Sequence, residues 1–288
     1  MPLILIQGKY KVLSTAPDGD SIRFYPNNPE LWKKLSTKVR PNNFGGAQLR
    51  LDAIDALETH FSPRGGSAGM QHQPLKYGQG AASELLNYLG FKDVTRSKSE
   101  KITSVTPEEA PGFILTRFAD TYGRAVAFVF KGEATQEDGS EVFIDKALLK
   151  KSANYHLLTQ GLVYPTFYSK LYPDIRKELT KAAEKARKES KALWNEDKTN
   201  TGFTLENSKT IIDDVVILPK LFRRLLSYLA INDDSVALDG FSAYLDSLND
   251  KIIILPDGHI TGFDFVVKVE GQKIMMTQQP EDIVFVEK

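Results

Sequence analysis

The stretch RLDAIDALE, residues 50–58, opens on an arginine, Arg50, and closes on two carboxylates three positions apart, Asp55 and Glu58, on one short and largely alternating segment. Further charged groups stand in turn-like contexts: Asp18 and Asp20 in DGDS, and Arg124 in DTYGR. Carboxylates presented from the ends of two strands suit a hard divalent cation such as Ca2+, which takes oxygen ligands and tolerates irregular geometry. A further acid can manage an attacking water. Guanidiniums pair with a phosphate and stabilise the charge that builds up on it during displacement. Together these groups make a set suited to cleaving a phosphodiester. Taken singly each piece is commonplace, because Asp and Gly are the default residues of turns.

Those groups must be positioned by a scaffold, and the pattern around them is one of short strands followed by helices. GKYKVLSTAPDGDSIRF (8–24) reads as a hairpin, with the apolar N-terminal run before it as strand, and LRLDAID as the next strand. GFILTRFAD and RAVAFVFKG read as two more strands around the turn DTYG. GQGAASELLNYLG has helical spacing at Ala82, Leu85, Leu86 and Leu89 and stops at Gly90. A long charged helix is expected over YPDIRKELTKAAEKARKESKALWNED, with Ile175, Leu179, Ala182, Ala186 and Leu193 as its apolar stripe. Its many lysines and arginines read as a solvated face laced with ion pairs. Residues 26–48 and 60–76 read as irregular insertions, and 195–209 as a linker. Beyond it LPKLFRRLLSYLAIN and DGFSAYLDSL read as helices, and residues 251–288 as three or four strands. The order suggests an α+β protein built on a small Greek-key barrel, an architecture that commonly offers a groove to a nucleic-acid strand.

The chain has 288 residues, 41% of them hydrophobic, no cysteine and no net charge. Thiolate metal sites and disulfides are thereby excluded. Charge is unevenly spread: residues 1–200 hold 29 Lys and Arg against 23 Asp and Glu, and residues 201–288 hold 8 against 14. A basic body suits a polyanionic partner and an acidic end does not. The N-terminal apolar run is too short for a secretory core or a membrane span, so a cytoplasmic location without membrane association is expected. His60 and His72 lie in a polar loop and read as solvated.

In order and spacing together, DGDS (18–21), RLDAIDALE (50–58), KYGQGA (76–81), DTYGR (120–124), QGL (160–162) and LWNED (193–197) resemble the staphylococcal nuclease (thermonuclease) family, from about Lys9 to Trp194. The resemblance implies a five-stranded OB-type barrel with packed helices over residues 1–198 and Ca2+-dependent cleavage of DNA or RNA, while the spacing of apolar residues over 205–288 reads as a smaller α+β domain. It implies that Asp20, Asp55 and the main-chain carbonyl of Ala56 hold the metal, with Asp18 supporting them. Glu58 would serve as general base, and Arg50 and Arg124 would bind the scissile phosphate. Tyr122, Phe167 and Tyr168 are the aromatics placed to stack on nucleotides. Five positions depart from the family's usual residues: Ala56 stands for Thr, Leu57 for Pro, Thr121 for Lys, and Phe167 and Ser169 fall where the family stacks tyrosines. The alternative is a barrel that binds nucleic acid or a protein without cutting. The C-terminal residues 205–288 lie outside the resemblance and are open to a protein partner or self-association.

Overall fold

The computed structural model describes residues 2–63 and 69–287, so part of the expected 60–76 loop, residues 64–68, lies outside the described residues. The chain forms two compact units: Met1–Asp52 with Ala81–Leu157, and Ala53–Gly80 with Leu158–Lys288.

The first unit holds a closed barrel of five strands: β1 (Leu3–Lys11), β2 (Ser21–Pro26), β3 (Ala47–Leu51), β4 (Glu109–Ala119) and β5 (Ala125–Lys131). Round the barrel they run β1-β2-β3-β5-β4 and back to β1, with β3 and β5 parallel and the other neighbours antiparallel. This is the OB-type, α+β architecture expected from the strand pattern. Closure demands that β1 bond to two neighbours, and the crowding falls on a glycine pair. Gly8 stands opposite Gly112; a Cβ on Gly8 would strike the Tyr25 carbonyl, and one on Gly112 the Tyr10 ring. Tyr10 is wholly buried there, its hydroxyl donating to the carbonyls of Phe113 and Phe130 at 3.1 and 2.9 Å. Burial pushes its phenol well above the usual range.

Helix α1 (Leu75–Leu89) buries Ala81, Ala82, Leu85, Leu86 and Leu89, as its spacing foretold, and ends at Gly90 with φ at +99°. Each fully buried leucine contributes about 1.5–3 kcal/mol. A second short helix, α2 (Ala153–Thr159), brings Asn154 to the barrel wall. Asn154 Oδ1 accepts from the Val129 amide at 3.0 Å, and its Nδ2 donates to the carbonyls of Asp52 and Ala127 at 2.9 and 3.1 Å. A hairpin of Lys92–Arg96 and Ile102–Thr106 completes the unit; most of its residues are polar, so no apolar alternation announced it.

The 26–48 insertion is a structured element. A 3-10 turn, Pro29–Lys34, buries Trp32, whose indole N–H donates to the Gly45 carbonyl at 3.0 Å. The chain then follows the end of β4: the Ser36 amide donates to Arg117 O at 2.9 Å, Thr37 Oγ1 to Ala119 O at 2.7 Å, and the Arg40 amide to Gly123 O at 2.9 Å.

In the second unit Ile54–Asp55 pairs with Tyr164–Pro165. Two small sheets follow: Phe167–Tyr168, Ile283–Phe285, Lys251–Ile254 and His259–Gly262 in one, and Phe203–Thr204, Lys273–Met276 and Val267–Glu270 in the other. Three helices accompany them: α3 (Pro173–Lys188), α4 (Pro219–Ile231) and α5 (Phe241–Ser247). One core runs through Leu57, Tyr164, Trp194, Phe203, Ile217, Phe222, Phe263 and Phe285.

Two boundaries differ from expectation. The strand expected over LRLDAID stops at Leu51, because Ala53 takes a left-handed backbone (φ +67°) that ends strand alternation. The charged helix stops at Lys188 rather than running to LWNED: Ser190 and Ala192 are left-handed (φ +50° and +43°), and Leu193 and Trp194 sit in a separate 3-10 turn. Among the described residues, no helix is long and apolar enough to cross a membrane.

Candidate active site

In the first unit the sequence-derived residues gather around β2, β3 and the β4–β5 turn. Asp18 and Asp20 occupy the turn entering β2, and the Asp20 carbonyl accepts from the Leu51 amide at 2.8 Å. Arg50 lies on β3 opposite Ser21, between the wholly buried Leu49 and Leu51, and is itself only half-buried. Alternation has therefore turned its side chain away from the barrel interior.

The DTYGR turn is organised by Asp120. Its Oδ1 accepts from the amides of Tyr122 and Arg124, both at 3.0 Å, and its Oδ2 from Arg124 Nε at 2.7 Å. Arg124 is thereby oriented with its guanidinium carbon 5.6 Å from the centre of the Tyr122 ring, which is 65% exposed. Gly123 has φ +81°, and a side chain there would also collide with Arg40, whose aliphatic stem lies over the glycine.

In the second unit, Asp55 and Ala56 are buried and Glu58 is half-buried. Their most conspicuous neighbour is Arg223, from α4. Arg223 Nη2 lies 2.7 Å from Asp55 Oδ2, Nη1 lies 3.3 Å from Asp55 Oδ1, and Nη1 also pairs with Glu58 Oε1. Burial by itself would lower the pKa of this guanidinium, but the charges of Asp55 and Glu58 outweigh it and hold it well above its ordinary value. Arg223 is thus a permanent cation.

The setting is built rather than incidental. Gln73, wholly buried, accepts from the Glu58 amide through Oε1 (3.2 Å), donates its own amide to Glu58 O (2.8 Å), and donates Nε2 to Ile217 O (2.9 Å). Ile217 stands two residues before α4, so one side chain ties the acid-bearing loop to the helix that carries Arg223. Phe222 packs edge-on against Phe61, ring centres 6.0 Å apart. Next along the helix, Arg224 Nε and Lys220 Nζ both pair with Asp250 Oδ2, at 2.7 and 3.3 Å.

The aromatics separate. Phe167 is wholly buried, in register with Val284, so its ring has no face to offer a base. Tyr168 is half-buried and tilted against Phe285 at 5.8 Å, which leaves Tyr122 as the exposed ring. His60 and His72 make local hydrogen bonds, to Thr59 Oγ1 at 2.8 Å and to Gln73 O at 3.0 Å.

Arg40, Gln73 and Arg223 were not singled out by sequence reasoning. Arg223 lies in the expected helix LPKLFRRLLSYLAIN, of which the sequence marks only the apolar face. Its only signal was that it falls beside the apolar position Phe222.

The profile described as Staphylococcal nuclease homologue matches residues 48–196. That is just over half of the chain. The chain belongs to the staphylococcal nuclease homologue family. No curated protein matches it. Membership supports a nuclease-type hydrolase and a nucleic-acid-binding barrel, in keeping with the fold.

The family's metal, a divalent cation, can be weighed against the donors present. Among the described residues no cluster of three or more His, Cys, Asp or Glu side chains is placed to hold a metal. The donor chemistry nevertheless fits a hard cation. Asp18 Oδ1 is buried and lacks a hydrogen-bond partner, and both carboxylate oxygens of Asp55 already face a cation, the Arg223 guanidinium. The acids suit a positive charge, and an internal one is in place.

Proposed function

We propose that this chain is a divalent-metal-dependent nuclease, with Ca2+ as the metal and DNA or RNA as substrate. The observation that carries the reading is that the one family-matched span, 48–196, retains Arg50, Asp55, Glu58 and Arg124, the residue types that phosphodiester hydrolysis requires.

Asp20, Asp55 and the Ala56 carbonyl would hold the metal, with Asp18 supporting them, and a cation held there would supply polarisation of a phosphate oxygen. Arg50 and Arg124 bind the phosphate and stabilise its added charge in the transition state. Arg124 needs little reorganisation for this, since Asp120 fixes it on two sides, through its backbone and its Nε. Glu58 orders the attacking water and takes its proton at a carboxylate oxygen. Tyr122 offers a stacking face to a base, and Tyr168 a lesser one. Phe167 is left out of the substrate-binding set because it is buried.

A second reading is a nucleic-acid-binding module that no longer cuts. The hold of Arg223 on Asp55 and Glu58 favours it, because an acid engaged by a guanidinium is poorly placed to accept a proton. The two readings part in one experiment: anisotropy of a fluorescent single-stranded oligonucleotide in EGTA, followed by Ca2+ addition and analysis of its length. Binding followed by Ca2+-dependent shortening supports the nuclease. Binding with an intact oligonucleotide supports the module.

A further inference from the structure

We propose that Arg223 is an internal counter-cation that competes with the divalent metal for Asp55 while also holding Glu58, so that the C-terminal segment sets the metal affinity of the nuclease site. The proposal rests on the reading of Asp55 as a metal ligand.

The geometry is that of a cation site filled from within. A carboxylate that gives both oxygens to one guanidinium has spent much of its lone-pair capacity in the directions a metal would use. A divalent ion brought to the same oxygens would also stand close to a full positive charge, in a pocket where screening by water is reduced. Either the metal or the guanidinium can hold Asp55 at full strength, and each weakens the other.

A fifth of the Arg223 side chain reaches solvent, against 3% for Asp55, so of the two partners it is the arginine that has a side open to water. The helix is meanwhile anchored by other contacts: Phe222 in the core, and Lys220 and Arg224 on Asp250. Asp250 also has its own cations, so it does not draw Arg223 away. A metal, or a phosphate that offers the guanidinium another partner, can do so.

The competition also gives the extra segment a purpose. Arg223 lies outside the family-matched span 48–196, so the residue that restrains the site is supplied by chain the family does not require. A nuclease so built is quiet at low divalent-cation concentration and is released as that concentration rises.

The test is Ca2+ binding by calorimetry to the full-length protein, to Arg223→Gln and to Arg223→Lys, each checked for folding by circular dichroism. Gln keeps a hydrogen-bonding side chain but removes the charge, and should tighten Ca2+ binding by about tenfold or more. Lys keeps the charge without the two-pronged hold, should fold if Gln does not, and should give an intermediate affinity. The protein and Arg223→Gln binding Ca2+ equally well would overturn the competition while leaving the metal site standing. Absence of Ca2+ binding in every folded variant would overturn the metal reading itself, and the competition with it.

Discussion

Arg223 Nη2 stands 2.7 Å from Asp55 Oδ2, joining an acid of the nuclease-family span to a helix beyond it through a pair in which the acid is almost wholly buried. Such a pair is asymmetric in its consequences. Removing one partner strands a buried charge, at a cost of about 3–5 kcal/mol, whereas removing both is far milder. Arg223→Met should therefore lower the free energy of unfolding by that amount, and adding Asp55→Asn should recover most of the loss. Urea denaturation of the two single variants and the double one gives the coupling directly. A coupling near zero would mean that the pair contributes nothing to the fold.

Lys220 predicts a pH dependence of stability. Burial, with help from the neighbouring Arg224 and Arg223 charges, lowers its pKa from 10.5 to about 7, against the opposing pull of Asp250. The unfolded chain thus keeps a proton on this lysine over a range where the folded chain has released it, so stability rises with pH from about 7 towards 10. Between pH 7 and 9 the gain should be about 2 kcal/mol. Lys220→Met should flatten the slope, since Arg224 Nε remains 2.7 Å from Asp250 to keep that acid paired. Denaturation midpoints across the range are the measurement.

Substrate contacts at the β4–β5 turn can be separated by their salt response. Tyr122→Ala should weaken binding of a single-stranded oligonucleotide by about 1–3 kcal/mol, with Tyr122→Phe close to neutral, because stacking uses the ring face. Arg40, an exposed residue whose stem lies over Gly123, would meet phosphate instead of base. Arg40→Ala should weaken all sequences alike and reduce the salt slope by about 0.7 per lost contact, as expected for a single strand. Anisotropy titrations at several salt concentrations distinguish the two.

Gly123→Ala tests the turn that carries Arg124. The left-handed backbone and the Arg40 stem both oppose a Cβ. The substitution should cost about 1–3 kcal/mol of stability and weaken oligonucleotide binding along with it. An unchanged melting temperature would show that the turn relaxes freely.

The parts that were legible in the sequence share a cause. The barrel strands announce themselves because β4 and β5 are nearly continuous apolar runs, and α1 because Ala82, Leu85, Leu86 and Leu89 fall on one stripe. The DTYGR turn was legible because Asp and Gly have backbone-specific uses there. What stayed hidden depends on contacts between residues far apart in the chain. Ala53 carries no sequence mark of its positive φ, yet it ends β3 and starts the segment that presents Asp55. Arg223 is 168 residues from Asp55, and no local pattern links a helix arginine to an acid so distant. Phe167 looked like a stacking ring because aromatic type is visible in a sequence and burial is not.

The central claim, that the acids and arginines still perform metal-assisted hydrolysis, is met most directly by the single-turnover rate of cleavage of an end-labelled single-stranded oligonucleotide by the full-length protein, across a Ca2+ series and in EGTA, beside Glu58→Ala. The account predicts cleavage that rises with Ca2+, vanishes in EGTA and falls by about 10²-fold or more in the variant. Equal rates for the two proteins, or an oligonucleotide bound but uncut at every Ca2+ concentration, would contradict it.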